Sequence, residues 1–227
     1  MKTILQLCAD TGSDTKPWKD AGYNVILVGK DIGVENYHPP KDVYGIIANP
    51  VCTEFSTARS TGMARNPEEG MKLVNECLRI IDETDDSLRF WVIENPAKGA
   101  LKDYLGTPQY KYQPWWYGSP WTKETALWGK FKIPERAYFK WEDVPKIPEL
   151  YTRPGRGKPS LAFMHARAHM KFIPEFAPFM EDILKKPSRD KKNGGGADME
   201  FRSLCSQKFA QAFFEANKSP LEHKGEK

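Results

Sequence analysis

Cys52 is the side chain in this sequence best placed for covalent chemistry. It follows an apolar run, Val43–Ala48, that reads as a short buried strand. Pro50 ends that strand, and Asn49-Pro50-Val51-Cys52-Thr53-Glu54-Phe55-Ser56 puts a thiol at the head of the next loop. Strand ends that open into loops are where α/β sheets hold ligands and reactive groups. A thiolate there is a nucleophile, whereas a packed cysteine is only a small hydrophobe. A second apolar run, residues 88–93, ends in Glu94-Asn95-Pro96. Six largely apolar residues ahead of Glu94 argue that its carboxyl shares the crevice with Cys52 rather than lying on a solvated surface.

The elements that must position these groups are legible as a pattern. Residues 3–8 form a first strand and run into Ala9-Asp10-Thr11-Gly12-Ser13, a turn of small residues. A helix follows, with Pro17 at its start and Gly22 at its stop. Asn24–Val28 is the next strand, and Asp31 stands three residues beyond it. Strand, small-residue turn, helix, strand and acid is the plan of a nucleotide-type cofactor half-site. The turn lets a ligand approach the backbone, and the acid accepts ribose hydroxyls. No Gly-Lys-Ser/Thr ending makes it a phosphate loop. After the Cys52 loop, Met71, Val74, Cys77, Leu78 and Ile81 share one helical face, which assigns Cys77 to the core. Thr125 to Trp128 is a further strand, and Phe209, Ala212, Phe213 and Ala216 form a closing helical face.

The 227 residues make one domain, or one with a modest insertion, and carry 40% hydrophobic and 28% charged residues. No apolar run reaches membrane length, the start lacks the pattern of a signal peptide, and four scattered cysteines fit a reducing cytoplasm. A net charge of +4 is too small to identify a partner, but its distribution is uneven. Arg153, Arg156, Lys158, Arg167 and Lys171 cluster without an acid among them, in a Pro- and Gly-rich stretch, residues 130–200. Such a surface suits a phosphate backbone. Trp115, Trp116 and Trp128 are expected in the core. His165 and His169 lie four apart with no third ligand in place, so no metal is expected.

Taken together, these motifs resemble the DNA cytosine-5 methyltransferases, most of all the small forms found in bacteriophages. The resemblance covers residues 4–128 and 203–217. Pro50-Val51-Cys52-Thr53-Glu54-Phe55-Ser56 is similar to the family's Pro-Pro-Cys-x-x-Phe-Ser nucleophile motif, and Glu94-Asn95-Pro96 to its Glu-Asn-Val motif. Leu7-Cys8-Ala9-Asp10-Thr11-Gly12-Ser13 resembles its cofactor loop. Gly118-Ser119-Pro120-Trp121-Thr122-Lys123 resembles Gly-x-Pro-Gln-x-Arg, with Lys123 in place of the Arg. The departures are Asp10 for the first loop Gly, Gln6 where many methyltransferases carry an acid, Val51 for Pro and Thr125 for a second Arg.

The resemblance implies an α/β, Rossmann-like S-adenosylmethionine-dependent methyltransferase fold with a mostly parallel sheet and a small irregular insertion. Residues 1–129 and 201–227 would form the catalytic domain, and residues 130–200 a reduced recognition insertion. It implies S-adenosylmethionine as cofactor and DNA as partner. Cys52, Glu94 and Lys123 would be catalytic. Cys8, Ala9, Asp10, Thr11, Gly12, Asp31, Asn49 and Pro50 would hold the cofactor. Arg59, Arg65, Arg153, Arg156 and Lys158 would meet nucleic acid. The chemistry unites these residue types: a thiolate adds to carbon 6 of a flipped-out cytosine and makes carbon 5 nucleophilic, while a carboxylic acid stabilises N3. Three alternatives remain open: a C5 methyltransferase acting on RNA or a free pyrimidine nucleotide, an amino-methyltransferase, and a nucleic-acid-binding relic without activity.

Overall fold

The computed structural model describes residues 1–9, 11–56, 65–189 and 195–219. Its centre is one six-stranded sheet. Strands β1 (Thr3–Leu7), β2 (Asn24–Val28), β3 (Val43–Ala48) and β4 (Phe90–Pro96) are parallel. Strands β5 (Tyr110–Tyr112) and β6 (Thr125–Lys130) run antiparallel at one side, giving the order β2-β1-β3-β4-β6-β5. The fold is therefore mixed α/β with a mostly parallel sheet, in line with what the resemblance implies at this coarse level. The chain leaves β1 for the edge strand β2 and returns on its other side as β3. That reversal makes a topological switch point at the carboxyl ends of β1 and β3, the place where open α/β sheets bind ligands.

Helices cover both faces. Helix α1 (Lys16–Asp20) lies on one face, and α2 (Pro67–Glu83) packs Val74, Cys77, Ile80 and Ile81 against Leu5, Leu7, Ile46, Ala48 and Ile93 on the other. Helix α2 starts where the sequence directs it: Asn66 accepts the Glu69 amide at 3.2 Å, Pro67 follows, and Glu68 and Glu69 face the positive end of the helix. Cys77 is core, as its helical spacing predicts. A bulge in β3 opposite Thr3 and Ile4 moves Tyr44 to the α1 face, and Gly45 makes room for the Phe90 ring, which a Cβ there would approach to 2.1 Å. Across α3 (Lys102–Leu105) the chain turns back toward β5.

The stretch at 130–200 is less shapeless than its composition predicts. It holds α4 (Ala166–His169), α5 (Ala177–Lys185) and several 3-10 turns, and runs into α6 (Ala197–Ser203). Leu150, Leu161, Met164, Met170, Phe176 and Ile183 build a separate core with Trp121, Phe201 and Leu204. The boundary expected at 200/201 falls inside α6, because Phe201 and Leu204 are needed to close that core. Helix α7 (Gln207–Asn217) then returns to the sheet, with Ser206 capping the Phe209 amide and Phe209 stacked on Tyr112 at 3.6 Å. No helix among the described residues is long and apolar enough to cross a membrane.

Candidate functional site

Three strands each put a polar residue at the crevice end of the face that packs on α1 and α7. They are Gln6 in β1, Asn49 just past β3 and Glu94 in β4. The sequence reading puts Glu94 at the end of a strand over residues 88–93. In the structure β4 continues to Pro96, because β6 goes on pairing with it after β3 has stopped: Ala48 opposes Ile93, but Glu94 still opposes Leu127. Glu94 is thus held by a sheet rather than by a loop. The next residue, Asn95, points to the other face, where it is 1% exposed and donates to the Pro50 carbonyl at 3.0 Å. That bond ties the Glu94 strand to the Cys52 loop.

The Cys52 loop is folded on itself and pinned. The Cys52 carbonyl accepts the Phe55 amide at 3.0 Å and the Ser56 amide at 2.8 Å. Phe55 is fully buried, and its carbonyl accepts the Ala100 amide at 2.9 Å. Its ring lies against Gly70 of α2, where a Cβ would come within 2.8 Å. The aromatic residue three positions after the cysteine therefore anchors the loop that carries the thiol.

Electrostatics couple the reactive groups. Burial pushes the Cys52 thiol above its ordinary pKa, a nearby Glu94 carboxylate adds to that, and Lys123 opposes it. Burial also raises Glu94, Lys123 works against the rise, and Asp14 adds to it. Cys52, Glu94 and Lys123, which come from three separate motifs, thus meet in one neighbourhood. Lys123 donates to the Ser203 and Leu204 carbonyls at 2.9 and 3.1 Å, which fixes it over the C-terminal end of α6.

Sequence reasoning does not single out Asp14, which lies just after the small-residue turn. Its carboxylate receives Gln6 Nε2 at 3.3 Å, Asn49 Nδ2 at 3.4 Å and Ser13 Oγ at 3.3 Å. Gln6 also donates to Asn49 at 3.1 Å and accepts from the Thr15 hydroxyl at 2.7 Å. Gln6 thus bridges β1, the end of β3 and the Asp14 carboxylate. Asp14 and Glu94 both line a cavity of about 20 Å³, together with Cys205, Leu127, Phe209 and Phe213. A space of that size accommodates about one water molecule.

The other cofactor candidates divide. Gly12 is left-handed (φ +70°), as a close-approach turn requires, and Gly29 lets the Ala9 carbonyl come to 2.6 Å from where its Cβ would stand. Thr11 accepts the Ser13 amide at 3.4 Å, so its hydroxyl helps shape the turn. Cys8 turns its thiol toward Cys77, 3.8 Å away on α2. Asp31 is exposed after β2, two strands from Cys52 at the same end of the sheet. Pro50 is buried. Asp10 and Arg59 lie outside the described residues.

Arg65 is exposed just before α2, remote in the chain from Arg153 and Arg156, which are also exposed. Trp128 is core, but Trp115 and Trp116 are only half-buried, a correction to the reading that places them inside. They form a surface cluster with Trp141, on which cations rest: Lys158 is 4.4 Å from the Trp115 ring and 5.3 Å from Trp141, and Arg136 is 3.4 Å from Trp116. Arg153 lies 5.2 Å from the Phe163 ring. His165 Nδ1 lies 2.9 Å from an Asp198 carboxylate oxygen.

Comparison with known proteins finds no family model that matches the chain and no curated protein that matches it.

Proposed function

We propose that this protein is an S-adenosylmethionine-dependent DNA cytosine-5 methyltransferase on a Rossmann-like fold, with residues 130–200 as a reduced recognition insertion. The observation that carries the reading is the meeting of Cys52, Glu94 and Lys123 at the carboxyl ends of β3 and β4. A nucleophilic thiol, a carboxyl inclined to keep its proton and a cation are the three groups that addition to a pyrimidine ring requires.

The residues at the crevice suit the cofactor. Gly12 sits in a left-handed turn after β1, Asp31 stands at the end of β2 where a ribose would lie, and the Asp14 carboxylate would offer a counter-charge to the positive groups of S-adenosylmethionine. Ala9, Thr11, Gly12, Asp31, Asn49 and Pro50 would hold it. When bound, it supplies an electrophilic methyl group to carbon 5 of the ring.

Cys52 does the covalent work. Its sulfur adds to carbon 6, which makes carbon 5 an enamine-type nucleophile, and loss of the carbon 5 proton later expels the thiolate. Addition needs Cys52 deprotonated. An ionised Glu94 resists that and Lys123 favours it, so the reactive state pairs a Cys52 thiolate with a protonated Glu94. In that state Glu94 donates a hydrogen bond to ring N3 and stabilises the charge that develops there. A duplex base is out of reach, so the base must leave the stack, with the basic surface around Lys158 and Arg153 holding the phosphate backbone.

The test is covalent capture. An oligonucleotide carrying 5-fluorocytosine cannot lose its carbon 5 substituent as a proton, so the adduct persists. The proposal predicts a protein–DNA species that survives denaturation, requires S-adenosylmethionine and maps to Cys52. Absence of that species, or attachment at another residue, overturns it.

A further inference from the structure

Asp14 belongs to no motif in the chain, yet it is the most heavily solvated-by-protein carboxylate near the reacting groups. Gln6, Asn49 and Ser13 all donate to it, and the Cys205 thiol stands beside it. Ser13 is itself held by the Cys205 amide at 3.1 Å, and its carbonyl by Gln207 Nε2 at 2.8 Å. A carboxylate fixed by several donors is stabilised as an anion even where water is scarce. Glu94 faces the same small cavity with fewer donors. Asn49 and Thr125 stand near it, and Asn49 is shared with Asp14.

Two carboxyls at one cavity cannot both ionise freely, and the one with fewer donors keeps the proton. We propose that Asp14 and Glu94 form an unequal carboxyl pair, in which ionised Asp14 keeps Glu94 protonated at neutral pH as the acid facing the reacting base. The functional half of this rests on the methyltransferase reading; the proton coupling does not. Burial raises both carboxyls and Lys123 pulls both down; beyond these, Asp14 pushes Glu94 further up, whereas the hydrogen bonds from Cys205, Asn49 and Ser13 pull Asp14 back down. The other titratable groups facing Glu94 come from every element around it. Cys52 lies after β3, Lys123 before β6, Tyr112 in β5 and Cys205 before α7. Burial raises Cys205 and Tyr112 far enough to leave both neutral at pH 7, so Asp14 and Lys123 are the charges that decide Glu94's state. Asp14 is thus a positioning residue for a proton, not a group that touches the base.

The experiment is a carbon-13 NMR titration of protein labelled at the Asp and Glu side-chain carboxyls, with the Glu94 and Asp14 signals assigned by their loss in Glu94→Gln and Asp14→Asn. In Asp14→Asn the Glu94 midpoint should fall by about one pH unit, and in Asp14→Glu it should return toward wild type. If Asp14→Asn does not fold, Glu94→Gln gives the second reading: Asp14 should titrate at its wild-type midpoint, because Glu94 is already neutral when Asp14 ionises. A Glu94 midpoint unmoved by Asp14→Asn overturns the pair, and an Asp14 midpoint that falls in Glu94→Gln overturns its order. Both readings are made without substrate, so failure of the methyltransferase reading leaves them standing. If activity is present, the alkaline limb of the pH–rate profile should move down with the Glu94 midpoint in Asp14→Asn.

Discussion

At the scale of single residues, Cys52 and Glu94 make opposite demands on the fold. Cys52→Ala should abolish methyl transfer while leaving the thermal unfolding transition in place, because the side chain is small and half-buried at a loop. Cys77→Ala in the core should retain activity and lose about 1 kcal/mol of stability. Transfer at the wild-type rate by Cys52→Ala would contradict the nucleophile assignment. Glu94→Gln should raise the barrier by about 2–4 kcal/mol, the range for one lost transition-state hydrogen-bonding group. Its effect on stability should have the other sign. Folding raises the Glu94 pKa, mainly by burial, so the stability this group adds is complete below its unfolded pKa and is lost as pH rises through the folded value. Above that value the buried carboxylate destabilises the fold. Glu94→Gln should therefore unfold at a higher temperature than wild type at pH 8, with the gap closing as pH falls toward 4. A gap that widens on acidification would mean that Glu94 is stabilised as an anion.

At the scale of elements, the anchor of the Cys52 loop is Phe55 under Gly70 of α2. Gly70→Ala would drive a Cβ into the Phe55 ring, at a cost of about 1–3 kcal/mol, and should slow methyl transfer through displacement of the loop. A stable, fully active Gly70→Ala would show that the loop is set elsewhere. The parts of the site readable from sequence are those made by local pattern. An apolar run followed by Pro exposes Cys52, and a second apolar run delivers Glu94 to the same sheet. The continuation of β4 beyond Ile93 is not readable, because it depends on pairing with β6, which begins only at Thr125. Asp14 is hidden for the same kind of reason. Its donors come from β1, the end of β3 and the turn itself, and that turn is held by Cys205 across 192 positions of sequence. The partial exposure of Trp115 and Trp116 is not readable either, because burial of an aromatic depends on which neighbours fold over it, and here cations cover part of each ring.

At the scale of the whole molecule, two bodies of core meet around α7. Glu175, just before α5, accepts the Gln207 amide at 2.6 Å and the Ser119 hydroxyl at 2.8 Å, and Ser119 also contacts Ser206 at 2.7 Å. This buried cluster joins the 130–200 stretch to the helix that packs on the sheet. Glu175→Ala should cost about 1–3 kcal/mol, since it leaves buried donors without an acceptor. The basic surface itself should make DNA binding fall steeply with salt, and neutralising Arg153, Arg156 and Lys158 together should lower the log–log slope by about three. An unchanged slope would move the phosphate contacts to another face, with Arg65 the next candidate. The central claim, that this assembly places a methyl group on carbon 5 of cytosine in DNA, is tested most directly by incubating the protein with tritiated S-adenosylmethionine and DNA and separating the nucleosides. The account predicts label in 5-methyl-2′-deoxycytidine that disappears with Cys52→Ala; label on an exocyclic amine, label only in RNA or free nucleotides, or no label at all would contradict it.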